Sequence, residues 1–145
     1  MKDDEDIKRE RRALATRANM LAHRFRRCTA PVKITLFRAF CTTFYTCALW
    51  TSYTQRSLSD LRIQYNNAFR ALLRLPRWCS ASGMFADARV DGFQAIMRAR
   101  CAAALRRLRG SRNSLLAIIA DRLDSQLLVH WTRVHSVVAT YTQFA

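Results

Sequence analysis

The sequence predicts an all-α fold, an irregular bundle of about five to seven helices. Apolar residues recur at helical rather than strand spacing, and glycine and proline punctuate the chain between those patterns instead of inside them. Only Gly83, Gly92, Gly110, Pro31 and Pro76 are present, and half of the 145 residues are apolar, enough for a packed core. We expect one helical domain over residues 1–112 and a C-terminal helical extension over 113–145.

Residues 5–27 carry Ile7, Leu14, Ala18, Leu21 and Phe25 on one stripe opposed by Arg12, His23 and Arg26, and the acidic start favours a helix N-terminus. Pro31 sits where a first-turn proline belongs. From Val32 to about Tyr53 apolar side chains occur almost all round, so this is expected to be the most buried helix. Ser57 and Asp60 have capping-box spacing and predict a helix to Leu75, stopped by Pro76. Its inner face is Leu58, Leu61, Tyr65, Ala68, Phe69, Leu72 and Leu75, with Asn67, Arg70 and Arg74 on the opposite side.

Ser80 and Ser82 suit the cap of a short helix over residues 81–86. Asp91 and Gln94 repeat the capping spacing and predict a helix through Arg109 that ends at Gly110. Phe93, Met97, Cys101, Ala104 and Leu108 form its narrow apolar wedge, flanked by Arg98, Arg106 and Arg109 on one side and Arg100 and Arg107 on the other. Two further helices are expected, Ser114 to Leu123 and Gln126 to Tyr141.

The net charge is +15, and only Lys2, Lys8 and Lys33 are lysines. Nearly all the positive charge is therefore guanidinium, which matches phosphate oxygens bidentately and stacks on bases. Half of the ten acids lie in the first ten residues, and none occurs between Asp91 and Asp121. A solvated face mixes both signs; this segment does not, which points to a polyanionic partner.

Five cysteines in an odd count, without a CxxC pair, argue against a disulfide framework and for a reducing, intracellular compartment, nucleus or cytoplasm. The apolar run Ala39–Trp50 is too short and threonine-rich to span a bilayer, so no membrane partner is expected. Phosphate-binding glycine loops, HExxH, GxSxG and zinc-spaced His/Cys pairs are absent, which leaves no small-molecule substrate site to propose. His130 and His135 are read as two half-exposed histidines beside Trp131, and Asp121 and Asp124 as caps. Trp78 beside Arg77 can stack on a base or close the end of the core; the second reading is preferred.

The stretches "RANMLAHRFRRC", "VKITLFRAFCTTFYTCALW", "YNNAFRALLRLPRWCSASGMF" and "DGFQAIMRARCAAALRRL" resemble the region that follows the polymerase palm in LINE-type, non-LTR retrotransposon reverse transcriptases. The most specific elements are Tyr65, Asn66, Arg70, Leu72, Pro76, Arg77, Ser80, Ala81 and Ser82. The resemblance covers most of the chain and is weakest after residue 112.

It implies a thumb-like domain over 1–112 that clamps a template–primer duplex of RNA and DNA and packs on the palm. The implied chemistry is RNA-directed DNA synthesis, with magnesium ions and their paired aspartates in the palm, and no cofactor in this chain. "FADAR" at residues 85–89 offers one aspartate, Asp87, where polymerisation needs two carboxylates. We therefore expect Met1 to mark a start within a longer reading frame, "KDDEDI" to be an exposed connector from the palm, and the chain by itself to be inactive. The residues expected to bind phosphate are Asn67, Arg70, Arg74, Arg77, Arg98, Arg106 and Arg109. A structural module that docks on another protein, or the relic of a decayed element, are the alternatives.

Overall fold

The acidic opening starts the first helix and also anchors it. The computed structural model describes residues 3–122 and 125–133. Helix α1 runs Asp4–Arg24 with Asp4, Glu5 and Asp6 in its first turn, where carboxylates oppose the positive pole of the helix. Asp3 and Asp4 reach across the chain: the Ser52 amide donates to Asp3 Oδ2 at 2.8 Å, and the Thr54 amide and hydroxyl each donate to Asp4 Oδ1 at 2.9 Å. The opening is thus built into the fold and is not an exposed connector, because its carboxylates satisfy the amides that precede the third helix.

Helix α2 spans Ala30–Phe40, with Pro31 in its first turn. It stops far short of Tyr53. Cys41 caps it, the chain turns irregularly, and only a 3-10 turn at Cys47–Leu49 follows. The reason lies in Thr42, Thr43, Phe44, Tyr45 and Thr46, whose branched or aromatic side chains lose rotamer freedom in a helix. Thr42 donates its hydroxyl back to the Arg38 carbonyl at 2.6 Å in the last turn. Val32, Phe40, Tyr45 and Leu49 are exposed, so the segment is not the most buried one.

Helix α3 runs Gln55–Leu73 and opens one turn earlier than Ser57 and Asp60 predict. Thr54 is the cap, accepting the Ser57 amide through its side chain, while Asp60 instead pairs with Arg11 of α1 at 3.3 Å. Thr54 wins because Asp4 fixes its hydroxyl. Short helix α4, Ala81–Ala88, is capped by the Ser80 hydroxyl, which accepts the Gly83 amide. Helix α5 spans Phe93–Arg109 and α6 spans Ser114–Asp121, the latter capped by the Asn113 side chain. Residues 126–133 form a further helical segment, α7. The fold is all-α, and among the described residues no strand occurs and no helix is long and apolar enough to cross a membrane.

The chain divides into two compact units, Met1–Thr43 with Ser52–Phe93, and Phe44–Thr51 with Gln94–Ala145. Residue 112 falls inside the second. In the first unit, α1 and α3 pack side by side and in parallel: Asp4 meets Thr54, Arg11 meets Asp60, and Arg24 and Arg74 share one cleft, so the residue numbers rise together. Ile7, Leu14, Ala18 and Leu21 of α1 and Leu61, Tyr65, Ala68, Phe69 and Leu72 of α3 are buried. Each large one contributes roughly 1.5–3 kcal/mol by leaving water.

An aromatic cluster closes this core. Phe37 of α2 packs against Tyr65 and Phe69 at 5.3 and 4.9 Å between ring centres, and Phe85 packs against the same two rings at 5.2 and 4.9 Å. The Tyr65 hydroxyl donates to the Asp91 carbonyl at 2.7 Å, which satisfies the one polar atom the ring carries inward.

The second unit is built on Ala48, Cys101, Leu108, Leu128 and Trp131, with Ala104, Leu105, Ile119, Ala120 and Leu127 packed around them. Trp131 donates its indole N–H to the Ala48 carbonyl at 2.7 Å and so fixes the 3-10 turn to α7. His130 is buried rather than half-exposed, because Leu128 and Trp131 carry α7 inward at that point. His135, Asp124 and the end of the helix expected to reach Tyr141 lie outside the described residues.

Candidate nucleic-acid interface

Parallel packing sets the C-terminal ends of α1 and α3 side by side, and each end is a negative pole. Arginine gathers there. A cleft of about 550 Å³ is lined by His23, Arg24, Arg26, Arg27, Cys28 and Arg74, with no carboxylate among them. Lys8, Arg9, Arg11 and Arg17 of α1, nearer its acidic start, pair with acids. Among the described residues no carboxylate pairs with Arg24, Arg26, Arg27 or Arg74. Helix poles attract a cation each by about 0.3–1 kcal/mol when exposed, which explains one or two basic residues but not four facing one hollow.

Arg74 reaches this cleft through an unusual backbone. It follows α3 in the left-handed region, φ 55° and ψ 39°, while its amide donates to Ala71 and that of Leu75 to Arg70, the paired bonds of a Schellman ending. Glycine normally occupies that position, and a side chain there costs about 1–2 kcal/mol. Arg89 ends α4 in the same way, with φ 53°. Arg38 supports that second ending by donating to the Ala88 and Arg89 carbonyls, both at 2.8 Å.

The residues singled out from the sequence take different roles. Arg70 is not stacked over Arg74 in an i, i+4 pair, because Arg74 has already left the helix. Its guanidinium turns to the following loop, donating from Nε and Nη2 to the Cys79 carbonyl at 3.2 and 2.8 Å and from Nη1 to Asn67 Oδ1 at 3.0 Å. Asn67 and Arg70 therefore hold the loop over residues 74–79. Arg77 on that loop is exposed, and so is Trp78, whose side chain is 87% accessible. Trp78 does not close the core.

Arg98, Arg106 and Arg109 belong to the second unit on α5, with Arg106 and Arg109 exposed and Arg98 partly so. Arg100 lies over the Tyr45 ring at 5.0 Å, a cation–π contact within the same unit. The wedge of α5 is buried through Met97, Cys101 and Leu108, joined by Ile96, which the narrow stripe omits.

Arg24, Arg26 and Arg27 line the cleft without being among the residues expected to bind phosphate. Arg26 read as the polar side of an amphipathic helix, and Arg24 and Arg27 were not singled out. The signal available was the density of "HRFRRC" without a nearby acid.

None of the five cysteines is in a disulfide. Burial pushes the Cys41 and Cys101 thiols up to about 11, with Arg17 opposing the rise at Cys41. Burial likewise raises the Tyr65 phenol well above its ordinary range, aided by the negative charge of Asp91 and Cys41. These groups stay neutral and structural. Among the described residues no group of three or more His, Cys, Asp or Glu side chains comes together to hold a metal ion, and Asp87 is a single exposed carboxylate on α4. The donor set does not fit paired magnesium ions, and no metal-dependent step is assigned to this chain. No protein-family model matches the chain, and neither a curated protein nor a solved structure matches it.

Proposed function

We propose that this chain is a thumb-like part of a LINE-type reverse transcriptase that grips the sugar-phosphate backbone of an RNA–DNA template–primer duplex, while a palm domain outside it carries polymerisation and its magnesium ions. The observation that carries the reading is the cleft where Arg24, Arg26, Arg27 and Arg74 face one hollow without a carboxylate. Guanidinium groups so placed neutralise successive phosphates and position a duplex without reading its sequence. Exposed Arg77 and Trp78 extend the same loop outward, suited to a ribose or base. Such a partner places the protein in the nucleus or cytoplasm.

Affinity for a hybrid duplex should fall steeply with salt, the logarithmic slope being about −0.9 per phosphate neutralised. Replacing Arg26 and Arg27 together by Glu should reduce that slope by about two and leave helicity unchanged, since both side chains are exposed. A titration that stays flat as salt rises, or a double variant that binds as the parent does, refutes the grip.

A second reading, a module that docks on another protein, draws on α6. It buries no residue, and Leu115, Leu116 and Ile118 are exposed on it. Such a face is what a helix presents to a protein partner.

A further inference from the structure

Beside the arginine cleft, the first unit holds a second hollow of about 250 Å³, lined by Arg17, Met20, Leu21, Arg24, Phe25 and Phe40. Its walls are apolar and aromatic, and Arg24 lines both hollows. Met20 and Phe40 leave about half their surface in water, 52% and 51%. Arg17 is held at the wall by Glu10, to which its Nη2 donates at 2.7 Å.

The two hollows together call for a ligand that carries negative charge next to a flat, weakly polar ring. A nucleotide has that composition. We infer that the apolar hollow holds one unpaired base of a nucleic-acid strand whose phosphates lie in the arginine cleft, with Phe25 and Phe40 against the ring. The inference rests on the duplex grip proposed above and names where the strand goes once it leaves the duplex. A paired base is locked in its stack and does not enter, so the occupant comes from a single-stranded overhang.

The rival occupant is an apolar protein segment, since Met, Phe and Arg also make up protein interfaces. The nucleotide is favoured by the shared Arg24 and by the neighbouring cleft, which no carboxylate lines. A peptide gains nothing from four guanidiniums unless it is itself strongly acidic.

The test uses the full chain and three forms of one hybrid duplex: blunt, with a short single-stranded overhang, and with the same overhang lacking its bases. The complete overhang should bind about tenfold more tightly than the abasic one, the scale of one base–aromatic stack. Phe40→Ala should bring the complete overhang to the abasic level and leave blunt-duplex binding unchanged; Phe40 is half exposed, and unchanged helicity confirms the fold. Equal binding of complete and abasic overhangs overturns the base site, and so does a tenfold preference that survives Phe40→Ala. In either case blunt-duplex binding still stands, so the grip survives. If the blunt duplex shows no salt-dependent binding, the grip falls and the base site falls with it.

Discussion

The Arg70 guanidinium donates two hydrogen bonds to the carbonyl of Cys79, nine residues on, and thereby folds the loop after α3 back against the helix. Lysine has neither the planar fork nor the reach for that pair of bonds. Arg70→Ala and Arg70→Lys should each lower stability, the former by about 2 kcal/mol, the scale of hydrogen bonds to a charged group. Urea unfolding measures the loss. The loop should open locally as well, so alkylation of Cys79 should accelerate in both variants while that of Cys41 does not. If Arg70 instead serves mainly to touch phosphate, the variants lose hybrid affinity without a change in stability or in Cys79 labelling.

Arg74 joins a strained backbone to a place in the cleft, so its replacement should separate stability from binding. Arg74→Gly removes the left-handed penalty and should stabilise the fold by about 1 kcal/mol. The same change should weaken hybrid binding and reduce the salt slope by about one. Thermal unfolding beside a salt titration reads both. Arg89→Gly should stabilise similarly and leave the salt slope as it is, because Arg89 does not line the cleft.

Alkaline pH should weaken the first unit through Cys41 and Tyr65. Their folded-state values lie above those of the unfolded chain, near 9 for a thiol and 10 for a phenol. Their contribution is therefore complete below pH 9 and declines as the pH rises, because the unfolded chain ionises first. Each group adds up to about 1.4 kcal/mol of loss per pH unit. For Cys41 the loss ends near its folded value of about 11. Urea midpoints at pH 8, 9 and 10.5 check the trend. Cys41→Ala should lessen the part between pH 9 and 10, to which Cys101 also contributes, and an unchanged slope in that variant excludes Cys41 as a source.

Much of the helix pattern was legible because burial imposes a period that composition cannot hide. The stripe Ile7, Leu14, Ala18 and Leu21 and the face Leu61, Tyr65, Ala68, Phe69 and Leu72 go inward as their spacing demands. Boundaries were less legible. A window from Val32 to Tyr53 reads as one apolar helix, yet the cluster of Thr42, Thr43, Phe44, Tyr45 and Thr46 ends it after Phe40. Thr54 outcompetes Ser57 as a cap only because Asp4, fifty residues earlier, reaches it, and no local rule sees that bond.

The candidate site was legible in kind more than in membership. An arginine-rich chain with few acids must leave many guanidiniums without carboxylate partners, but which of them share a hollow depends on α1 and α3 running in parallel, a tertiary fact. Periodicity assigned Arg70 to the outer face, correctly for its position along the helix. It could not show that the loop returns to meet that side chain. Trp78 misled for the opposite reason: large aromatics are usually buried, and this one stays in water.

Neighbouring helices in most bundles run in opposite directions, and their axial fields largely cancel. In α1 and α3 the fields add and set two negative poles at the C-terminal ends, but the side chains run against them and carry more charge, with Asp3, Asp4, Glu5 and Asp6 gathered at one extremity and Arg24, Arg26, Arg27 and Arg74 at the other. A long polyanion drifting nearby therefore exerts a torque on the whole unit, turning the guanidinium extremity toward itself before any atom touches. Encounter becomes an oriented event instead of a random search, and it quickens as ionic strength drops.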